Sequence, residues 1–184
     1  KKLGFNIFKR KDLWVIGASS ILPFILWRVW MLQYPEGIPQ SGWLFNGGDI
    51  RFKGAFFHWI FARRIGEHIL GFWGLAILFI GIVANYKEKS FLFSFLISSL
   101  LYITIVARGN VHHNYYQILI IPTIAIFLAL GTSFLINFPK QFFSRSITII
   151  GLVVSLLFMF VFSWYEIRAY YNMNSSIVTA GEAV

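Results

Sequence analysis

Apolar residues occur in long runs that are separated by short groups of charged and turn-forming residues. Five runs are long enough to cross a hydrocarbon core, which takes about 20 helical residues. They lie near residues 13–32, 65–84, 91–107, 115–136 and 147–165. Because lipid offers the backbone no hydrogen-bond partners, these runs are predicted to be helices despite their many β-branched and aromatic residues. The pattern predicts an all-α polytopic membrane protein of about five transmembrane helices, with kinks at two prolines, Pro23 and Pro122.

The segment near residues 49–64 has a different pattern, because its apolar side chains alternate with cations at helical spacing. One helical stripe is wholly apolar and consists of Phe52, Phe56, Trp59 and Ile60. The segment is too short and too polar to span a membrane. It is predicted to be an amphipathic helix that lies at the membrane interface, although a solvated face of a surface helix would show the same pattern.

Composition supports the membrane class. Of the 184 residues, 58% are hydrophobic and only 12% are charged, whereas a soluble domain carries about 25% charged residues. The chain has no cysteine, which excludes disulfide scaffolds, thiol catalysis and cysteine-ligated zinc.

The formal charge of +9 raises the question of a nucleic-acid partner. The cations lie between apolar runs and form no stripe that could follow a phosphate backbone, so no nucleic-acid partner is predicted. If the five runs cross the membrane in turn, nine Lys and Arg residues lie on the same side of the membrane as the N-terminus and six lie on the opposite side. The positive-inside rule therefore predicts a multi-pass protein of the cell membrane, with a cytoplasmic N-terminus and an extracytoplasmic C-terminus.

The densest polar cluster, residues 108–117, falls on the predicted outer face. It offers a guanidinium, imidazoles and phenols from Arg108, His113, Tyr115 and Tyr116. Such donors can hold a phosphate or sugar hydroxyls, since arginine makes two parallel bonds to phosphate oxygens. The simpler alternatives are a cation and two tyrosines that anchor the chain at the interface.

Metal ligands and a catalytic carboxylate are poorly represented. His112 and His113 are adjacent, which rarely lets two ligands converge on one ion, and no carboxylate lies nearby in the sequence. No metal and no cofactor are therefore predicted, although the sequence leaves a divalent metal open. Asp49 is a weak candidate for a general base, and it would also serve as a helix N-cap. Glu67 begins the second run, where ionisable groups usually face protein or water, and is a candidate substrate-binding residue.

Three parts of the sequence resemble bacterial polytopic glycosyltransferases of family 39, the relatives of protein O-mannosyltransferases and of the aminoarabinose transferase of lipid A. These parts are 43–52 (WLFNGGDIRF), 56–61 (FFHWIF) followed by Arg64 and Ile65, and Arg108 with 112–117 (HHNYYQ) and Pro122. The resemblance extends over about residues 10–184.

The resemblance implies a GT-C fold with its active site on the extracytoplasmic face. It implies a polyprenyl-phosphate sugar as donor and a protein, lipid or glycan as acceptor. Under this hypothesis Arg51, Arg64 and Arg108 hold the donor phosphate, and the residues with counterparts in the family's other motif, His113, Tyr115 and Tyr116, contact substrate.

The acidic residue that the family carries in its first outer loop has no convincing match here. The chain is therefore expected to be the C-terminal half of such a membrane domain and to be inactive alone. Residues 1–165 would form its transmembrane part, and residues 166–184 would lead into an extracytoplasmic soluble domain.

Two other functions fit the sequence less well. A non-enzymatic transport subunit with an outer lipid-headgroup site would need polar residues along its spans, and the runs contain few beyond Arg28, Glu67 and His68. A purely structural anchor in the membrane leaves the outer cations and the 108–117 cluster unexplained.

Overall fold

The protein is described here by a computed structural model that covers residues 8–37, 42–137, 144–171, 179 and 181–182. These residues contain helices and no strand, so the all-α prediction is confirmed for them. The chain divides into two compact units, Lys1–Ser41 and Gly42–Val184.

The first unit contains one long helix, α1 (Lys11–Met31). None of its residues is buried, and it is apolar on all sides. Pro23 lies inside α1, which continues past it. A single 3₁₀ turn, Pro35–Gly37, follows.

The second unit begins with short helical pieces in place of the single interfacial helix predicted at 49–64. They are α2 (Trp43–Asn46), a 3₁₀ segment (Gly47–Phe52), α3 (Gly54–Phe57) and a π-helical segment (His58–Ile69). Gly48 and Asp49 have φ values of 67° and 55°, and this left-handed conformation interrupts the helix. The side chain of Asn46 closes the turn, because its Nδ2 donates to Asp49 and its Oδ1 accepts from the Arg51 amide.

The apolar run at 65–84 bends sharply. The helix axis turns by 113° between Gly54–Ile69 and Gly74–Val83, the latter being α4. Gly71 and Phe72, at the bend, have φ values of 49° and 60°, and a left-handed residue ends a helix. The prediction of one continuous helix at 65–84 therefore differs from the structure.

The remaining helices are α5 (Lys89–Ile105), α6 (Ala107–His112), α7 (Ile121–Ile136) and α8 (Arg145–Ile167), with 3₁₀ segments at Asn114–Ile120 and Arg168–Tyr171. Pro122 lies in the first turn of α7, where the missing N–H would have no helical partner. It therefore favours the start of a helix there, and not the kink that was predicted. Ser144 caps α8 by accepting a hydrogen bond from the Ile147 amide.

Helices α4 and α7 pack at close range through two glycines. A Cβ at Gly81 would overlap the carbonyl oxygen of Phe127, and one at Gly131 would overlap that of Ile77. Small residues let helix backbones approach in this way in membrane proteins. The buried core lies beside this contact and joins the π-helical segment to α5, α6 and α7 through eight residues: Phe56, Ile60, Leu70, Ile103, Ala107, Val111, Ile120 and Ile124.

Three helices in the described residues are long and apolar enough to cross a membrane: Lys11–Met31, Asn114–Ile136 and Arg145–Tyr171. The bent pair Gly54–Ile69 and Gly74–Val83 would make a fourth. Helix α5, with 17 residues, is shorter. Helices thus lie at all five apolar runs, but the structure supports three or four full spans where the sequence predicted five.

Candidate functional site

A wide cleft of about 1150 Å³ opens in the second unit, beside the π-helical segment. Its other walls are the Asn114–Ile120 segment and the C-terminal end of α8. Its polar lining consists of Arg63, Arg64, His68, His112, His113, Asn114, Tyr115, Gln117, Ser163, Glu166 and Tyr170. The cleft thus collects charged and aromatic residues that are far apart in the chain.

Arg64 is the most deeply placed cation of the cleft, with only 7% of its surface exposed. Its Nη2 donates to the carbonyl oxygen of Val111 at 3.0 Å, and its Nη1 lies 3.5 Å from Nδ1 of His68. The guanidinium also lies 5.4 Å from the ring centre of Trp59, a favourable cation–π distance. Its Nε is buried without a hydrogen-bond partner, so an anionic ligand would satisfy this donor once the side chains that cover it move aside.

Arg63 forms an ion pair with Glu67, one helical turn away. The side chain of Arg63 is 39% exposed and that of Glu67 is 15% exposed. Glu67 is therefore the better shielded partner of the pair. Arg63 adds a second cation to the cleft beside Arg64.

The aromatic side chains of the 113–116 motif stack on one another. The ring centres of His113 and Tyr115 are 5.2 Å apart, and those of Tyr115 and Tyr116 are 4.9 Å apart, with rings within 28° of parallel in both pairs. Asn114 donates to the hydroxyl of Tyr170, which ties this motif to the chain that follows α8. Two members of the stack, His113 and Tyr115, line the cleft.

A buried amide pair holds the motif in place. Asn110 is fully buried and donates to the carbonyl oxygen of Val106 at 2.9 Å. Nε2 of Gln117 donates to the carbonyl oxygen of Asn110 at 2.8 Å and to its Oδ1 at 3.1 Å. Gln117 is 4% exposed, lines the cleft, and leaves its Oε1 without a partner. A buried acceptor without a partner is costly, so a donor from a ligand in the cleft would stabilise it.

The predicted substrate-binding residues are placed unequally. His113 and Tyr115 line the cleft. Glu67 is paired with the cleft residue Arg63. Tyr116 instead lines a separate apolar groove of about 470 Å³, and its carbonyl oxygen accepts a hydrogen bond from the hydroxyl of Tyr102.

The three arginines predicted to hold a phosphate do not line one cavity. Arg64 lines the cleft, and Arg51 and Arg108 do not. Nη2 of Arg51 donates to the carbonyl oxygens of Phe45 and Ile105, both at 3.3 Å. Arg108 donates from Nε to Nε2 of His112 at 3.4 Å and packs over a glycine in the Gly47–Phe52 segment.

Asp49 also lies outside the cleft lining. It is exposed, has the left-handed conformation, and accepts a hydrogen bond from Asn46. The residue at the N-cap position of α3 is Lys53, so the alternative role of Asp49 as a helix cap is not the one the structure shows.

Several cleft residues were not selected from the sequence, namely Arg63, His68, Gln117, Glu166 and Tyr170. The sequence contains one signal for Glu166, which is an acidic residue directly after the fifth apolar run. Its proximity to the π-helical segment depends on how distant helices pack.

No family model, no curated protein and no solved structure matches the chain.

Proposed function

We propose that the chain is part of a membrane glycosyltransferase that binds a polyprenyl-phosphate sugar and transfers the sugar to a protein, lipid or glycan acceptor on the extracytoplasmic face. The observation that carries the proposal is Arg64, a buried guanidinium with an unpartnered donor, in a wide cleft between apolar helices. A phosphate is the anion that this donor geometry suits, since guanidinium groups bind phosphate oxygens with charge-assisted hydrogen bonds.

The shape of the surrounding surface supports a donor with a lipid tail. The 470 Å³ groove is almost wholly apolar and shares Tyr115 and Ile118 with the cleft. A phosphate beside Arg64 would leave the prenyl chain free to lie in this groove, in contact with Leu44, Val106 and Leu119. The sugar would then face the aromatic stack of the 113–116 motif.

The family resemblance supports the same assignment, because the HHNYYQ motif that carries it contributes a wall of the cleft. In such a transfer the acceptor oxygen forms a bond to the anomeric carbon while the bond from that carbon to the phosphate oxygen breaks. The proton of the acceptor goes to a carboxylate base, which the resemblance implies in an outer loop beyond these residues. Arg64 and Arg63 would stabilise the negative charge that develops on the departing phosphate.

The direct test is binding of a polyprenyl-phosphate sugar to the full-length protein in nanodiscs. Arg64→Lys keeps the charge but removes the planar fork, so it should weaken binding about tenfold or more. Arg63→Ala should weaken it less, because Arg63 is more exposed and is paired with Glu67. The matched control is Arg145→Ala, an exposed arginine at the opposite end of α8, which should bind as the wild type does.

Sugar transfer to an acceptor extract is measured on the same preparations. Binding and transfer that both fall in Arg64→Lys support the proposal. Binding without transfer would favour the alternative of a transport subunit with a lipid-headgroup site. Absence of binding by a folded wild-type protein would overturn the proposal.

A further inference from the structure

We propose that Glu67, His68 and Glu166 bind a divalent metal ion at the wall of the cleft. One ligand atom from each residue lies within 4.8 Å of those of the other two. Metal bonds of about 2.0–2.2 Å place neighbouring ligand atoms roughly 3–4 Å apart. Small rotations of the three partly buried side chains would therefore complete the set.

The bend in the chain brings these residues together. Glu67 and His68 end the π-helical segment, and Gly71 follows them at the 113° turn. A Cβ at Gly71 would meet the Met159 carbonyl oxygen and the Ser163 amide nitrogen, so the bend lies directly against the backbone of α8. Glu166 is one helical turn beyond Ser163. Close backbone contact at Gly71 thus places a carboxylate of α8 beside two ligands of the π-helical segment.

The two neighbouring arginines do not outweigh the two carboxylates of the cluster. Arg63 neutralises one carboxylate of the cluster, and its ion pair is made to Oε2 of Glu67. The carboxylates of Glu67 and Glu166 balance the guanidinium groups of Arg63 and Arg64, so the group carries no net charge when His68 is neutral. Loss of the 3.5 Å contact between Arg64 and His68 would cost little, because Arg64 keeps its shorter bond to Val111.

Two polar atoms of the cleft give independent support for a bound ligand. Gln117 is only 4% exposed, and its Oε1 has no hydrogen-bond partner. Oγ of Ser163, which also lines the cleft, is buried without a partner. Both residues line the same cleft as His68 and Glu166, so a ligand bound there could supply the donors that buried acceptors require.

The ligand types favour a particular class of ion. An imidazole with two carboxylates suits Zn²⁺ or Mn²⁺ better than Mg²⁺ or Ca²⁺, which prefer oxygen ligands alone. Imidazole must be neutral to bind, so affinity should fall as the pH drops below the range in which histidine loses its proton.

The test is a Mn²⁺ titration of the full-length protein in nanodiscs, with free Mn²⁺ followed by electron paramagnetic resonance. One saturable site is expected, and Zn²⁺ should compete for it. His68→Ala and Glu166→Gln should each weaken binding by about tenfold or more, as losses around metal sites do. Glu88→Gln is the matched control, because Glu88 is exposed and lies outside the cluster.

Thermal unfolding of each variant, followed by tryptophan fluorescence, shows whether it is folded. Saturable binding that is lost in folded His68→Ala and Glu166→Gln but kept in Glu88→Gln supports the site. No saturable binding by the wild type, or equal binding by all variants, overturns it. If His68→Ala fails to fold, Glu166→Gln decides alone. No sugar donor is present in the titration, so its result is independent of the proposed transferase activity.

Discussion

Two pairs of arginines in the second unit look alike in sequence and differ in what they contact. Arg63 and Arg64 line the wide cleft. Arg51 and Arg108 lie outside it, where Arg51 bonds to two backbone carbonyl oxygens and Arg108 to a histidine. Both Arg51 and Arg64 keep a buried Nε without a partner, but only that of Arg64 belongs to a residue that lines the cleft.

The two pairs have the same charge and differ in their access to a cavity. Arg51 connects Phe45, in α2, with Ile105, at the end of α5. Such a bridge holds two segments of chain together. Arg64 bonds to one backbone oxygen and retains capacity for a ligand. Substitutions at Arg63 and Arg64 should therefore affect ligand binding, and substitutions at Arg51 and Arg108 should affect stability.

The largest effect on stability and donor binding is expected at Gly71. This residue packs against α8, which forms a wall of the cleft that Arg63 and Arg64 line. Gly71→Ala would place a side chain at a φ of 49° and against the Met159 carbonyl oxygen. Left-handed strain and overpacking together should lower the free energy of unfolding by about 2–5 kcal/mol. Donor binding should be lost along with the position of α8.

Thermal unfolding in one detergent, followed by tryptophan fluorescence, measures this change. The matched control is Gly151→Ala, also at α8, where nothing lies within 4 Å of the added Cβ. That variant should be as stable as the wild type or more so, by up to about 1 kcal/mol, because alanine favours helix. Wild-type stability of Gly71→Ala would contradict the account of the bend.

An intermediate effect is expected at Arg51. Arg51→Ala removes two hydrogen bonds from a charged donor and should lower the free energy of unfolding by about 1–2 kcal/mol. Donor binding by the folded fraction should stay within roughly twofold of the wild type, since Arg51 does not line the cleft. Isothermal titration calorimetry well below the unfolding temperature measures this donor binding. Complete loss of binding at unchanged stability would move Arg51 into the binding site and remove the contrast between the pairs.

The smallest effect is expected at Gly47. A Cβ there would lie 2.6 Å from Nη1 of Arg108, and the backbone φ of −53° suits alanine. The flexible end of Arg108 can move away, so Gly47→Ala should change stability by less than about 1 kcal/mol. Gly54→Ala, with open space around its Cβ, is the control.

Donor binding by Gly47→Ala is the informative measurement. Unchanged binding agrees with a structural Arg108. A loss of tenfold or more, without loss of stability, would show that Arg108 reaches the ligand and would restore the three-arginine hypothesis drawn from the sequence.

Much of the fold could be predicted from residue order, because the relevant signals are local. Helices lie at all five apolar runs, since a backbone in lipid must satisfy its own hydrogen bonds. The break in the helix at Gly48 and Asp49 was harder to predict, because it depends on a hydrogen bond from the Asn46 side chain and on a left-handed aspartate.

The candidate site was only partly predictable. Arg64, His113 and Tyr115 were found because polar residues stand out between apolar runs. Arg51 and Arg108 stood out equally, and no local pattern indicates that one carbonyl oxygen bonded by Arg51 belongs to Ile105. Glu166 was missed for the same reason, since its importance arises from its neighbours in space.

The sequence by itself determined that this protein is helical and where its long apolar helices lie, because hydrophobicity and helical hydrogen bonding act on neighbouring residues. The tertiary structure alone decided which cations share a cavity, where the second apolar run bends, and that Glu166 lies beside Glu67 and His68. Those features depend on close backbone contact between distant segments, such as Gly71 against α8. Contacts of that kind are set by the packing of whole helices, which no short stretch of sequence encodes.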